Sequence, residues 1–207
     1  MRTDTAPKVV ILDRDGTLNE FRADYVMSAD DWVPLPGALE AVARLNQAGW
    51  HTVMATNQAG LGRGLYDMAA FNAVHLKLNH MLSKLGGRID AVFFCPHTDV
   101  DGCNCRKPLP GLYQDIGKRY NLNLAEVPAV GESIRDVQAM AAAGCEPHLV
   151  LTGECRRLGP AHVAHIRSLV PRTEVHADLA EFAEFLIRRE REVRGIEGSD
   201  SGPGALN

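Results

Sequence analysis

Residues 9–17, Val-Val-Ile-Leu-Asp-Arg-Asp-Gly-Thr, constrain this chain more than any other stretch. Four consecutive apolar residues, most of them β-branched, predict a strand buried on both faces, as in the interior of a parallel sheet. Asp13 and Asp15 follow at once. At strand spacing, positions i and i+2 share a face, so both carboxylates project together from the strand's carboxyl end. Gly16 then lets the chain turn away. Open α/β sheets bind ligands at that end, and two converging carboxylates need a cation to offset their repulsion. A hard, oxygen-preferring ion such as Mg²⁺ fits. An acidic turn after a strand is common in itself, so the reading depends on what later segments add.

Those segments alternate between strand and helix patterns, the signature of a mostly parallel sheet covered by helices. After the first strand, residues 18–36 lack periodicity and are long for a connection, so a flap over the active end is expected. A helix opens at Pro36-Gly37 with Leu39, Val42, Ala43 and Leu45 on one face and closes at Gly49. Strands are predicted at 51–55, 89–94, 127–130 and 148–151. Helices are predicted over 67–85, over 111–120 and through Val137, Met140 and Ala141 up to Gly144, with a last one at 177–194. His75 and His80 read as ordinary helix histidines. The chain of 207 residues is expected to form one domain over 1–194, with a disordered Gly- and Ser-rich tail at 195–207. A net charge of -4 offers no basic surface to nucleic acid. No apolar run reaches the ~20 residues of a membrane span and the first residues form no signal peptide, so a cytoplasmic protein without membrane partners is expected.

Three further stretches carry chemistry. Thr56-Asn57-Gln58-Ala59-Gly60-Leu61-Gly62-Arg63-Gly64 follows the second strand, offering a hydroxyl, amides and a Gly-rich backbone that suit a phosphate; a plain polar turn is the alternative. Cys95, His97, Cys103 and Cys105 form a Cys-x-His-x5-Cys-x-Cys loop. Three thiolates and an imidazole make a closed tetrahedral Zn²⁺ set, hence a structural site that would aim the next residues, Arg106 and Lys107, inward. Those two supply the cations that phosphoryl chemistry requires. Glu132, in Gly131-Glu132-Ser133-Ile134-Arg135-Asp136, brings a third carboxylate to the same sheet edge. Cys145 looks like a small core residue, and Cys155 suggests nothing.

Together the Asp-x-Asp-Gly-Thr motif, Thr56, Lys107 and the last acidic motif resemble the haloacid dehalogenase superfamily of phosphotransferases. The Cys/His loop and the phrases 57–64 and 105–111 look like its heptose bisphosphate 7-phosphatase family, over about residues 8–151, with the histidinol-phosphate phosphatases as near relatives. The resemblance implies a three-layer Rossmann-like fold with a zinc-loop insertion at 95–105. It implies a Mg²⁺-dependent phosphatase that removes the C7 phosphate of a small phosphosugar in ADP- or GDP-heptose synthesis for lipopolysaccharide, acting as a monomer. Asp13 would be the nucleophile and Asp15 the acid and base. Mg²⁺ would be held by Asp13, the Asp15 main-chain carbonyl and Glu132. Thr56, Asn57, Gln58, Ala59, Arg63, Arg106 and Lys107 would serve the substrate, with Asn57 helping to position the nucleophile. Two departures stand out: the family commonly has Asp where Glu132 stands, and many members have Lys in place of Ser133. A low-turnover phosphosugar-binding protein is therefore the contrasting expectation.

Overall fold

The computed structural model describes residues 7–199. Its central strand, β1 (Val9–Leu12), has all four residues buried, as a run apolar on both faces requires. The chain continues through α1 (Ala38–Gln47), β2 (His51–Asn57), the short α2 (Ala59–Gly62), α3 (Met68–Lys84), β3 (Ala91–Cys95), α4 (Gly111–Tyr120) and β4 (Pro128–Gly131). It ends with α5 (Ile134–Ala143), β5 (Glu146–Val150), α6 (Gly153–Leu158), α7 (Pro160–Leu169), β6 (Glu174–His176) and α8 (Leu179–Ser199). The strands form one sheet in the order β3-β2-β1-β4-β5-β6, and every pairing is parallel.

Alternation along β1 divides the core. Val10 and Leu12 pack with α1, α3 and α8 through Leu39, Val42, Val74, Leu78, Phe182 and Leu186. Val9 and Ile11 pack on the opposite face with α4 and α5 through Leu112, Ile116 and Met140. This is a three-layer α/β architecture, as expected. The order places the functional edge: the chain steps outward from β1 through β2 to β3, then returns past β1 to β4. Where that reversal occurs, the connections leave in opposite directions and a crevice opens beyond the carboxyl ends of β1 and β4. Asp13 extends the ladder there, donating its main-chain N–H to Val130 O at 2.9 Å.

The structure departs from the sequence reading in three places. The short β6 and the helices α2, α6 and α7 are additional. The segment 18–36 is only in part a flap, since Leu18, Val26 and Trp32 are buried in the α1/α3/α8 core. The last helix runs on to Ser199, so residues 195–199 are helical rather than a tail. Glycine in a helix interior costs only about 1 kcal/mol against Ala, and Gly195 does not end it. The remainder of the expected tail, 200–207, lies outside the described residues. His75, read as an ordinary helix histidine, is buried, its Nδ1 2.9 Å from Phe71 O. Among the described residues no helix is long and apolar enough to cross a membrane.

Candidate active site

A cavity of about 260 Å³ lies at the crevice, lined among others by Asp13, Asp15, Thr56, Asn57, Gln58, Ala59, Arg106, Lys107 and Glu132. Its floor is an ion cluster. The Lys107 ammonium, 2% exposed, donates to Asp13 Oδ1 at 2.6 Å and to Ala55 O at 3.0 Å, and lies 2.5 Å from Asp136 Oδ1. Burial disfavours that ammonium, but Asp13 and Asp136 outweigh it and raise its pKa well above the ordinary lysine value. Asp136 is also buried, yet Lys107 and the hydrogen bonds from Ser133 hold its carboxyl below the usual range. Asp13 goes the other way: burial pushes it up to about 7, against Lys107 and with help from the negative Asp136.

Lys107 reaches the cavity on a loop that follows β3, and Asn57 at the end of β2 grips its main chain. The Asn57 side chain donates to Lys107 O and accepts from Lys107 N–H, both at 3.1 Å. Asn57, expected to help position the nucleophile, makes its contacts with Lys107, which in turn donates to Asp13. Asp136 enters through a capping box. Ser133 caps α5, and Ser133 N–H and Oγ both donate to Asp136 Oδ2 at 3.0 and 2.6 Å, leaving Oδ1 for Lys107.

Asp15 sits higher in the cavity and accepts on both oxygens. Oδ1 receives Arg14 Nε at 3.1 Å, Arg14 Nη2 at 2.9 Å and Asn19 Nδ2 at 3.0 Å; Oδ2 receives Arg14 Nη2 and Gln58 Nε2, each at 2.9 Å. Gln58 also donates to Thr56 Oγ1 at 2.9 Å and accepts from Tyr66 OH at 2.6 Å. Burial pushes the Tyr66 hydroxyl up to about 12, so it keeps its proton.

Glu132 leaves the end of β4 and is 3% exposed. Burial, with the negative Asp136 and Asp13 adding to it, pushes its carboxyl up to about 9. Its Oε2 accepts the Glu154 main-chain N–H at the start of α6. The side chain runs between two glycines of positive φ. A Cβ on Gly16 would fall 2.7 Å from Glu132 Cγ, and one on Gly153 would fall 2.4 Å from Glu132 Oε2. Thr152 ties the same two loops together by donating from Oγ1 to Gly16 O at 2.6 Å. The glutamate, longer than the aspartate expected at this position, is thus accommodated by missing side chains on both flanks.

The second cluster is the loop after β3. Cys95, His97, Cys103 and Cys105 place their ligand atoms within 4.8 Å of one another. Cys95 Sγ lies 3.7 Å from Cys103 Sγ and 3.1 Å from Cys105 Sγ, and His97 Nδ1 lies 3.5 Å from Cys95 Sγ and 3.3 Å from Cys105 Sγ. Ligands 2.3 Å from a tetrahedral centre stand about 3.8 Å apart, so this donor set suits a zinc ion. The loop also orients Arg106, which donates from Nε to Asp99 Oδ1 at 2.5 Å and from Nη1 to His97 O at 3.4 Å. Arg63 alone among the expected substrate residues is absent from the cavity wall; it lies 6.0 Å over the Tyr25 ring, which does line it.

Arg14, Asn19, Tyr66 and Asp136 were not singled out from the sequence. Only Asp136 carried a usable signal, the Ser-x-x-Asp pattern at a helix start. The other three contribute through hydrogen bonds that no local pattern announces.

Comparison with known proteins agrees with this geometry. A family model described as haloacid dehalogenase-like hydrolase matches residues 19–144. The D-glycero-beta-D-manno-heptose-1,7-bisphosphate 7-phosphatase of Bordetella bronchiseptica is 52% identical over 87% of this chain and 98% of that protein. Its namesake from Pseudomonas aeruginosa is 42% identical, again over 87% of this chain and 98% of its own length. The solved structure of the D,D-heptose 1,7-bisphosphate phosphatase from B. bronchiseptica, complexed with magnesium and phosphate, superposes with a TM-score of 0.80 at 51% identity. That superposition covers 88% of this chain and 99% of the other. On these matches the chain belongs to the haloacid dehalogenase-like hydrolases.

Proposed function

We propose that this protein is a Mg²⁺-dependent phosphatase that removes the C7 phosphate from D-glycero-D-manno-heptose 1,7-bisphosphate through an aspartyl-phosphate. The observation that carries the reading is the buried Lys107 ammonium bridging Asp13 and Asp136 on the floor of a cavity that Glu132 also lines. The names of the relatives supply the substrate.

Burial, with the negative Asp136 and Asp13 beside it, pushes the proton affinity of the Glu132 carboxyl upward, and a cation bound between Asp13 and Glu132 would offset that repulsion. With the Asp15 main-chain carbonyl they make an oxygen donor set of the kind Mg²⁺ takes, and Asp13 Oδ2 and Glu132 Oε1 carry no hydrogen bond among the described residues. Bound there, Mg²⁺ neutralises charge on the transferring phosphoryl group.

The chain's own residues do the rest. Lys107 favours the ionised form of Asp13 against its burial, so a carboxylate oxygen can attack phosphorus while the bond from phosphorus to the sugar oxygen breaks. Asp15 gives a proton to the departing sugar oxygen, then takes one from the water that attacks the aspartyl-phosphate, releasing inorganic phosphate and restoring Asp13. Thr56 and Lys107 face the phosphoryl oxygens, and Arg106 faces the sugar's second phosphate. Zn²⁺ held by Cys95, His97, Cys103 and Cys105 fixes the loop that carries Arg106 and Lys107.

The test is Mg²⁺-dependent phosphate release from the two heptose bisphosphate anomers and from histidinol phosphate. Asp13→Asn should abolish release from the heptose substrate. Equal rates in wild type and variant, or preference for histidinol phosphate, would overturn the assignment.

A further inference from the structure

We propose that Tyr66, which lies outside the cavity wall, is a positioning residue: acting through Gln58, it sets the Asp15 carboxylate and the Thr56 hydroxyl for reaction. The inference rests on the functional reading above and extends it to residues given no part in it.

The argument is one of donors and acceptors. Gln58 turns its amide nitrogen to Asp15 and donates to Oδ2 at 2.9 Å. The amide oxygen then faces Tyr66, whose hydroxyl donates to it at 2.6 Å. With Gln58 Nε2 also donating to Thr56 Oγ1 at 2.9 Å, the threonine's own proton is free to turn toward the cavity. Gln58 is 2% exposed and Tyr66 9%, so little water is at hand to replace the phenol. The ring is seated by Gly60, where an added Cβ would fall 2.3 Å from Tyr66 Cε1. Arg14 completes the frame from the other side. It is 1% exposed and, among the described residues, its one carboxylate partner is Asp15. A guanidinium this deeply buried is costly unless paired, so Arg14 and Asp15 are held as a unit, and Gln58 selects where that unit points.

The kinetic consequence depends on the leaving group. A sugar alkoxide needs a proton from Asp15 as it departs, whereas p-nitrophenolate does not. The value of kcat/KM reports only steps up to the first irreversible one, so hydrolysis of the aspartyl-phosphate does not enter the comparison. In zinc-loaded protein with Mg²⁺, Tyr66→Phe should lower kcat/KM on heptose bisphosphate, or on whichever alkyl phosphate the wild type hydrolyses, by about tenfold. The ratio of kcat/KM on that substrate to kcat/KM on p-nitrophenyl phosphate should fall by roughly fivefold or more. Gly60→Ala, which displaces the ring, should reproduce the change in ratio, and the double variant should be no worse than the single ones. An unchanged ratio in Tyr66→Phe overturns the inference, as does an additive double variant. If Asp15→Asn leaves the alkyl phosphate reaction intact, it is the functional reading that fails; if Asp15→Asn abolishes it while Tyr66→Phe keeps the ratio, the positioning role alone fails.

Discussion

A single methyl group added at Gly153 should destabilise the protein, and shortening Glu132 should remove much of that damage. Gly153 has φ +50, where a side chain costs about 1–2 kcal/mol. Its new Cβ would also stand 2.4 Å from Glu132 Oε2 and 2.8 Å from Glu132 Cδ, an overlap of the kind that costs about 1–3 kcal/mol in a packed interior. Gly153→Ala is therefore expected to lose about 2–5 kcal/mol, or about 4–20 °C in Tm for a chain of this size. Glu132→Asp withdraws the atoms that clash but also gives up the hydrogen bond from Glu154 N–H, worth about 0.5–1.5 kcal/mol. In the double variant the backbone cost and the lost hydrogen bond remain, while the overlap disappears. Urea unfolding of the four proteins forms a double-mutant cycle in which the pair should be less destabilised than the sum of the singles, by about 1–3 kcal/mol. Additivity within about 0.5 kcal/mol would refute the view that Gly153 makes room for the longer acid.

Lys107→Met removes the cation between Asp13 and Asp136; phosphate release should fall to background, and urea unfolding should show a loss of about 3–5 kcal/mol from the uncompensated buried charge. Cys103→Ser should loosen the loop that holds Arg106 to Asp99 and His97, lowering zinc content by elemental analysis and raising KM for a bisphosphate more than for a monophosphate. A third prediction concerns acid. Burial, reinforced by His148, lowers the His176 pKa from 6.5 to about 4, while Glu181 and Glu174 oppose the shift. The unfolded chain then binds a proton that the folded one refuses, so stability is lost as pH falls from about 6.5 to 4, by about 2–3 kcal/mol in all. His176→Leu should flatten that part of the urea midpoint against pH curve, and an unaltered slope would assign it to other groups.

How far the sequence spoke depended on whether a feature was local. β1 is an unbroken apolar run followed by acids, and β2, β4 and α3 have clear patterns, so all four appear close to their expected positions. β6 is three residues long, Glu-Val-His, and has no periodicity to detect; it exists because β5 offers it an edge and α8 covers it. Trp32 illustrates a different limit. Lying in a stretch without rhythm, it suggested a flap residue, but the cavity between α1, α3 and the sheet takes it at 0% exposure. At the site, the acids, the Cys/His loop and the Arg-Lys pair were legible because they occur as short strings. Arg14, Asn19 and Tyr66 were not, because each acquires meaning only from a partner's position in the fold.

The bond from Lys107 to Asp13 joins residues 94 apart in sequence, across β2 and the whole of the Cys/His loop. Asp136 lies later still. A chain emerging from the ribosome therefore makes its nucleophile candidate well before the lysine that balances its charge, and the three-residue ion cluster is complete only when the segments after β3 and β4 have docked. Partly synthesised or clipped molecules that end before α5 should be catalytically silent, and maturation of activity should track closure of the sheet rather than formation of any one motif.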